Sequence, residues 1–372
     1  MHPLHMTMVR LATFGFWIAL PTFALPTIAL AQDTVKLRSG ETETGRVDAE
    51  NFDVLVFKAK KAKEKEERVM RLSWDNVVEV TYGGNVEYQQ AIQQVASGNF
   101  GVAIPKLQAL SEGAHLRKEL KPLVMFQLGS AMQRAGKFAE AAAVQRELAK
   151  QFPKSHYLLG AAQSIVDCHI ALNDAAGGTA AIDELVNAAA SGGVDPNYLA
   201  AFDYFRGRLL EEQKNVAGAK TKYQAVAAGR TGSASMTAMA RMRIARCEQA
   251  EGQVEQAKTA YRALVDLDVG NEVLAGAWNG LADISLAEAA KAPNPEKLTN
   301  ALLMYLRGVV EYGPAPGEST GEHERALFGA SQIFKQLSDI ETDEAKKKLH
   351  SERSKQRLAQ LKKEFPNSVY LK

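Results

Sequence analysis

The chain has 372 residues, of which 24% are charged and 7% aromatic, and its formal net charge is +2. This length is too great for one ordinary hydrophobic core, so we expect two or three domains or an extended array. A nearly neutral chain lacks the basic surplus of nucleic-acid-binding proteins, and abundant alanine with few aromatic residues favours closely packed helices.

The N-terminal segment has the pattern of an export signal. Arg10 precedes a largely apolar run at residues 11–20, and residues 29–31 read Ala-Leu-Ala, the small-x-small pattern that signal peptidases cleave. We therefore predict that residues 1–31 are a signal peptide, that the mature chain starts at Gln32, and that it is periplasmic or secreted. The alternative is a retained membrane anchor, but two prolines interrupt the apolar segment as a continuous helix.

Residues 32–84 have the pattern of a small β domain. Five short Val-rich runs are separated by turn residues: TVKLRSG, GRVDAEN, DVLVFKAK, RVMRLSW and NVVEVTY. The arrangement resembles the SH3-like and Sm-like barrels often found at the start of exported bacterial repeat proteins, which implies a small five-stranded β-barrel. The segment KAKKAKEKEER, residues 58–68, is predicted to be a solvated hairpin tip because its opposite charges largely cancel.

From residue 85 onward the apolar spacing becomes helical and a repeat begins. A bulky residue is followed by Ala three positions later and by a large side chain four positions after that, as in Phe138, Ala141 and Gln145. Self-similarity at intervals of 38 to 44 residues predicts a solenoid of helix pairs. The central alanines of the successive copies are Ala103, Ala141, Ala181, Ala219, Ala257 and Ala301.

The repeat resembles the tetratricopeptide repeat (TPR), most clearly in VMFQLGSAMQRAGKFAEAAAVQRELAKQFP, residues 124–153. In this unit Gly129 would lie on the first helix and Ala141 on the second, where their small size permits close helix approach. The resemblance covers residues 85–312 and implies a mainly α fold, a TPR-like α-solenoid of helix pairs preceded by the five-stranded β domain. Residues 313–372 are predicted to be a C-terminal helical segment that caps the solenoid.

The sequence Phe-Pro-x-Ser-x-Tyr-Leu occurs twice, at residues 152–158 and 365–371. Because Pro cannot continue a helix, each copy is predicted to end one. Ser155 and Ser368 are then placed to cap whatever helix follows. In the second copy the chain stops at Lys372, before a further helix is expected to form. The motif therefore predicts a structural joint between helical units.

The sequence concentrates no reactive groups. Cys168 and Cys247 fall on nonadjacent units, and alternate units of a solenoid are not expected to touch, so two buried free thiols are predicted. Glu322, His323 and Glu324 fall in the first turn of a predicted helix and are interpreted as a solvated terminus. Because the sequence contains no metal-binding or nucleotide-binding motif, we predict no metal, no cofactor and no catalytic residue.

Two classes of function compete, and a purely structural role for the array is a third possibility. The first is a noncatalytic protein-interaction scaffold of the bacterial cell envelope, which binds a peptide or partner protein on the concave surface of the TPR units. The second is an accessory subunit or cryptic enzyme of envelope assembly, with a site built from distant residues. The first is favoured because repeats create binding surfaces. We predict no nucleic-acid partner and no integral membrane segment after signal cleavage.

The TPR resemblance also implies which side chains line the groove. In TPR units that grip peptides, these are first-helix residues three or four apart, on the face opposite the second helix. Carried over to the three clearest units, the predicted partner-binding positions are Phe126, Ser130, Gln133, Tyr204, Arg208, Glu211, Met242, Arg246 and Gln249. The alternative interpretation is that Phe126, Tyr204 and Met242 pack against neighbouring first helices.

Overall fold

The structure is a computed structural model that describes residues 32–59, 67–114, 116–229, 234–291, 294–314 and 319–371. The predicted signal peptide and most of the predicted hairpin tip lie outside these residues. Within the described part, an antiparallel sheet is followed by a succession of helices. None of the described helices is both long enough and apolar enough to cross a membrane.

The β domain is one antiparallel sheet. Its strands are β1 (Asp33–Leu37), β2 (Thr42–Glu50), β3 (Val54–Ala59), β4 (Arg68–Ser73) and β5 (Val77–Thr81). The order across the sheet is β4-β3-β2-β1-β5, which confirms the five predicted strands. Closure into a barrel stays a prediction, because in the described residues no ladder joins β4 to β5 and these two strands are the edges of the sheet.

The sheet packs against the start of the helical region. Val47, Leu55 and Phe57 are fully buried in one apolar cluster with Leu120, which comes just before the third helix. Burial of such large side chains contributes about 1.5 to 3 kcal/mol each. The contact between the sheet and the helices is therefore apolar at its centre.

A buried carboxylate also stabilises the contact between the sheet and the helical region. Arg117 donates hydrogen bonds to both oxygens of Asp33, at 2.9 and 2.8 Å. The same carboxylate accepts the backbone N–H groups of Val47 and Gly83, at 2.7 and 2.9 Å. Because every lone pair of this charge faces a donor, Asp33 can be almost completely buried.

The helical region consists of helix pairs. Its helices are α1 (Val86–Ala96), α2 (Phe100–Glu112), α3 (Lys121–Arg134), α4 (Phe138–Gln151), α5 (Leu158–Ala171), α6 (Ala175–Ser191), α7 (Pro196–Leu199), α8 (Asp203–Glu212), α9 (Val216–Ala228), α10 (Ala234–Ala250), α11 (Val254–Val265), α12 (Asn271–Lys291), α13 (Pro295–Val310), α14 (Gly321–Ile340) and α15 (Glu344–Glu364). The successive pairs are α1 with α2, α3 with α4, α5 with α6, α8 with α9, α10 with α11, α12 with α13, and α14 with α15. The predicted fold class, a solenoid of helix pairs after a five-stranded β domain, is confirmed.

The repeat register is also confirmed. The six central alanines lie on the second helices of six pairs and are at most 2% exposed. In two pairs, α3 with α4 and α8 with α9, the large side chain four positions later packs against a glycine of the first helix. A Cβ atom on Gly207 would lie 2.6 Å from the ring of Tyr223, and one on Gly129 would lie 2.4 Å from Gln145 Nε2. The small residue on one helix and the large one on the other thus set the distance between them.

Both copies of the Phe-Pro-x-Ser-x-Tyr-Leu motif directly follow a helix, α4 in the first copy and α15 in the second. The serine hydroxyl accepts the backbone N–H two residues later, from Tyr157 to Ser155 at 3.2 Å and from Tyr370 to Ser368 at 3.4 Å. Both serines are buried. The predicted helix ends are confirmed. The prediction that Ser155 caps the following helix is wrong, because Tyr157 is the N-cap of α5 and, among the described residues, no side chain caps that helix; each serine instead stabilises the turn that follows the preceding helix.

Each tyrosine of the motif then stacks on a phenylalanine from the first helix of its own pair. The ring centroids are 5.2 Å apart for Phe126 and Tyr157, and 5.4 Å apart for Phe328 and Tyr370. The first copy continues into α5. The expectation that the chain ends before a further helix needs a correction, because residues Val369–Leu371 form one turn of 3-10 helix.

The two cysteines are buried and free, as predicted. Cys168 lies on α5 and Cys247 on α10. Burial raises the pKa of each thiol to about 12, so both stay protonated at neutral pH. A protonated, buried thiol is a small apolar side chain rather than a nucleophile.

Candidate functional site

Ion pairs between units connect the first helices of the later pairs. Arg208 on α8 donates to Asp167 on α5 at 2.8 Å, and Arg243 on α10 donates to Glu211 on α8 at 3.4 Å. The series ends where Arg246 of α10 meets Glu322 of α14. We call this set the inner ion-pair row: Asp167, Arg208, Glu211, Arg243, Arg246 and Glu322.

Glu322 is the most enclosed member of the row, with 5% of its side chain exposed. Arg246 and Arg325 donate to its carboxylate at 3.2 and 3.1 Å, and Asn279 donates at 3.0 Å. Arg243 lies 4.0 Å away. Burial alone would raise the pKa of Glu322, but the three guanidinium groups outweigh burial and hold this pKa well below its usual range.

The contact between Arg246 and Glu322 corrects two expectations from the sequence. It joins α10 to α14, which belong to alternate pairs, so alternate units do touch on this side. In a curved array, alternate units come close to each other on the inner side of the curve. Because α10 and α14 are both first helices, the first helices lie on the concave side of the solenoid. The interpretation of residues 322–324 as a solvated terminus is also wrong, because Glu322 and His323 are buried, with His323 Nδ1 3.2 Å from the carbonyl oxygen of Gly308.

Beside the row lie polar groups whose bonding capacity is not used. In the described residues, neither the fully buried hydroxyl of Tyr204 nor Nε of Arg243 has a hydrogen bond of normal geometry. Glu272, at the start of α12, is half-buried. Burial raises the pKa of Glu272 to about 7, although Arg243 and Arg208 act to lower it. At neutral pH, a cation that reached this carboxyl group would stabilise its ionised form.

In the second unit the predicted groove positions are partly exposed, and each is engaged within the protein. The ring of Phe126 stacks on Tyr157, and Ser130 Oγ donates to the carbonyl of Phe126 at 3.0 Å. Gln133 Oε1 accepts a hydrogen bond from Ser164 Oγ at 2.6 Å. These contacts orient the three side chains and still leave part of each open to solvent.

The predicted positions in the fourth and fifth units divide into two kinds. Tyr204 and Met242 are fully buried, Met242 against Gly276 of α12, so these two side chains pack between helices. Gln249 is partly exposed and accepts a hydrogen bond from the hydroxyl of Tyr261 at 3.2 Å. Three members of the inner ion-pair row are also partly exposed: Arg208, Glu211 and Arg246.

Sequence reasoning missed several inward-facing groups. One of them had a usable signal, because Asp167 stands four residues before the end of its first helix, as Ser130, Arg208 and Arg246 do in theirs. Extending the predicted stripe to this degenerate unit would have placed an aspartate beside Arg208. For Glu272 and Glu322 the local sequence offers no such alignment. In the described residues, no cluster of His, Cys, Asp and Glu is suited to holding a metal ion.

The family model of the tetratricopeptide repeat matches residues 123–155 and 239–268. These segments correspond to the pair α3 and α4 and to the pair α10 and α11. The chain contains tetratricopeptide repeats. Its TPR units are therefore present in both halves of the helical region. No curated protein matches the sequence.

Several solved structures resemble the TPR region. A tetratricopeptide repeat protein from Parabacteroides merdae is 16% identical, with 73% of this chain and 100% of that chain covered and a TM-score of 0.37. PilW, a widely conserved type IV pilus biogenesis factor, is 15% identical over 67% and 96% of the two chains, with a TM-score of 0.38. Rap protein complexed with competence and sporulation factor is 12% identical over 76% and 78%, with a TM-score of 0.45. None of them bears on what this chain binds.

Proposed function

We propose that the protein is a noncatalytic interaction scaffold of the bacterial cell envelope and that the concave side of its TPR units binds a peptide or a segment of a partner protein. Stacked repeats of this kind create extended surfaces on which such segments lie. The envelope location rests on the sequence of residues 1–31, which has the pattern of an export signal.

One observation carries the concave site. Glu272 has no hydrogen-bond or ion-pair partner in the described part of the chain, whereas the nearby Arg208 and Arg243 are held by Asp167 and Glu211. A half-buried carboxylate without a partner is a free-energy cost that an incoming cation removes. We therefore expect the bound segment to place a Lys or Arg side chain, or its own terminal ammonium group, beside Glu272.

The other groove contacts come from partly exposed side chains of the first helices α3, α8 and α10. A bound segment would meet aromatic, amide and charged groups in turn, a composition that suits both apolar pockets and polar pairing along an extended chain. Tyr204 and Met242 are buried beneath this surface and pack between the helices that form it. The positions that we propose for direct contact are Phe126, Ser130, Gln133, Arg208, Glu211, Arg246 and Gln249.

The test is recovery of a partner by cross-linking in intact cells, followed by copurification with the parent chain or with Glu272→Gln. Loss of one charge-assisted contact, worth about 1.5 to 3 kcal/mol, should reduce recovery at least tenfold. The matched control is Glu255→Gln, at an exposed site on the second helix α11.

Both variants should keep the melting temperature of the parent or exceed it, since neither residue makes an ion pair in the described structure. Equal recovery from Glu272→Gln and Glu255→Gln would contradict the site. A substitution of Tyr204 by alanine is unsuitable for this test, because the ring is fully buried and its removal would cost about 3 to 5 kcal/mol of folding stability.

A further inference from the structure

Helix α15 concentrates positive charge. It carries eight Lys or Arg residues against three Glu, in a chain whose formal net charge is only +2. The rest of the chain therefore carries a net negative charge, and the excess positive charge is concentrated on this last long helix. Seven of the eight basic residues are exposed: Lys346, Lys347, Lys348, Arg353, Lys355, Lys362 and Lys363.

Only one face of α15 packs against the solenoid. Leu361 is the buried residue of this helix, and Ser354 Oγ donates to the carbonyl of Ser331 on α14 at 2.9 Å. His350, on the same face, packs near the ring of Phe334, with ring centroids 6.1 Å apart. The rest of the helix surface faces away from α14, and no later helix of the described chain covers it.

Three exposed lysines form a line along α15. Lys348, Lys355 and Lys362 recur every seven residues, which is two helical turns, so they share one side of the helix at spacings of about 10 Å. We call them the lysine line. In the described residues none of the three has a carboxylate within ion-pair distance, whereas Lys347 lies 3.6 Å from Glu344. Their charges are therefore available to a partner.

The chemistry of these groups favours a fluid anionic surface over a structured acidic site. A lysine ammonium is a hydrated point charge on a flexible stem, whereas recognition of a fixed carboxylate or phosphate favours the planar fork of arginine. The exposed side chain of Leu349 stands next to Lys348, and exposed Ile340 ends the preceding helix. Apolar side chains among lysines are the composition that binds a membrane interface.

We propose that the outer face of α15 docks the protein on an anionic phospholipid surface. The lysine line faces the headgroup phosphates, and Leu349 enters the interface beside them. None of these residues belongs to the inner ion-pair row. Docking therefore leaves the concave side free for a partner segment, and the two sites act separately.

The test is flotation of the purified protein with phosphatidylcholine vesicles that do or do not contain phosphatidylglycerol. The parent should bind only the anionic vesicles and should dissociate as the salt concentration rises. The variant Lys348→Glu, Lys355→Glu, Lys362→Glu should lower the partition coefficient by more than about a hundredfold. The control Lys106→Glu, Lys150→Glu, Lys297→Glu makes the same change in net charge at exposed sites on three other helices and should bind like the parent.

Three results would overturn the proposal. The first is no binding of the parent to anionic vesicles, or equal binding to both vesicle types. The second is equal loss in the two triple variants, which would show that net charge and not α15 is responsible. The third is tighter binding of the parent to a DNA duplex than to the anionic vesicles. Circular dichroism of both variants checks that they fold, and Lys→Gln at the lysine line should give a smaller loss in the same direction.

Discussion

Replacing Glu322 by Gln should destabilise the C-terminal units of the solenoid. The change keeps the size of the side chain and its ability to accept from Asn279, but it removes the charge that faces three guanidinium groups. Arg325 keeps Asp283 and Arg243 keeps Glu211, whereas Arg246 has no other carboxylate partner in the described residues. The structure thus predicts one guanidinium left unpaired.

Breaking a buried ion pair costs about 3 to 5 kcal/mol. We expect the low end, about 3 kcal/mol, because two of the three arginines keep partners and Arg246 can turn towards water, being 33% exposed. That is a large part of the roughly 5 to 15 kcal/mol that stabilises an ordinary domain. Solenoid units interact mainly with their neighbours, so the loss should begin locally, around α10 to α14.

Urea denaturation followed by tryptophan fluorescence measures this effect. Trp278 lies on α12, inside the affected region, and Trp74 lies in the β domain. The Trp278 signal should change at lower urea concentration in Glu322→Gln than in the parent, with the Trp74 signal moving less. The control Glu344→Gln, at a site with 85% of its side chain exposed, should cost less than about 0.5 kcal/mol. A Glu322→Gln protein as stable as the parent would refute the reasoning.

Acid should remove the difference between these two proteins. The folded-state pKa of Glu322 lies below its unfolded value, so its stabilising contribution is complete above the unfolded pKa of about 4.3 and is lost as pH falls towards the folded value. The difference in stability between the parent and Glu322→Gln should therefore begin to narrow below about pH 4 and shrink further as the pH falls. A constant difference down to the pH of acid unfolding would mean that the charge of Glu322 is not what the substitution removes.

Three further predictions follow from other parts of the chain. Ala219→Leu should overfill the contact between α8 and α9 and lower the free energy of unfolding, measured with urea, by about 1 to 3 kcal/mol. The control Ala217→Leu, at an exposed site, should change this free energy little. Equal losses from the two substitutions would mean that the repeat register is wrong. The pKa of Glu272 is raised to about 7 in the folded protein, so its ionised form opposes folding at any pH above the pKa of the unfolded chain. The stability of Glu272→Gln relative to the parent should therefore grow as pH rises from 5 to 8. The pKa of Glu50 is also raised to about 7, but Glu50 is present in both proteins, so its contribution cancels in the comparison. Mass spectrometry of the exported protein should find a chain that begins at Gln32, and an intact N-terminus in membranes would reject the signal peptide.

Much of the helical architecture could be predicted because it depends on local spacing. An alanine or glycine that must face a large side chain recurs once per unit, so the register of Ala141 and Ala219 was visible in the sequence. The Phe-Pro-x-Ser-x-Tyr-Leu joints were visible for a related reason, since proline ends a helix wherever it stands. The 3-10 turn at Val369–Leu371 was not, because it depends on the stacking of Tyr370 on a phenylalanine 42 residues earlier in the chain.

The inner ion-pair row could be predicted only in part. Spacing of three and four along the first helices identified Arg208 and Arg246 as candidate groove residues, and both belong to the row; their contact with a partner stays a prediction. The burial of Glu322 was missed, since the meeting of α10 and α14 depends on the curvature that accumulates over several units. Local sequence does not specify that curvature. For the same reason, Met242 was predicted on the groove surface although α12 covers it.

Site-specific photo-cross-linking tests the central claim most directly. A photoreactive amino acid would replace Gln249, which is partly exposed on the concave side, or Glu255, which is exposed on α11. Cells that express either variant would be irradiated, and the products separated by mass. Binding on the concave side predicts a discrete adduct with another protein from position 249 and none from position 255. An adduct from position 255 alone, or from neither position, would contradict it.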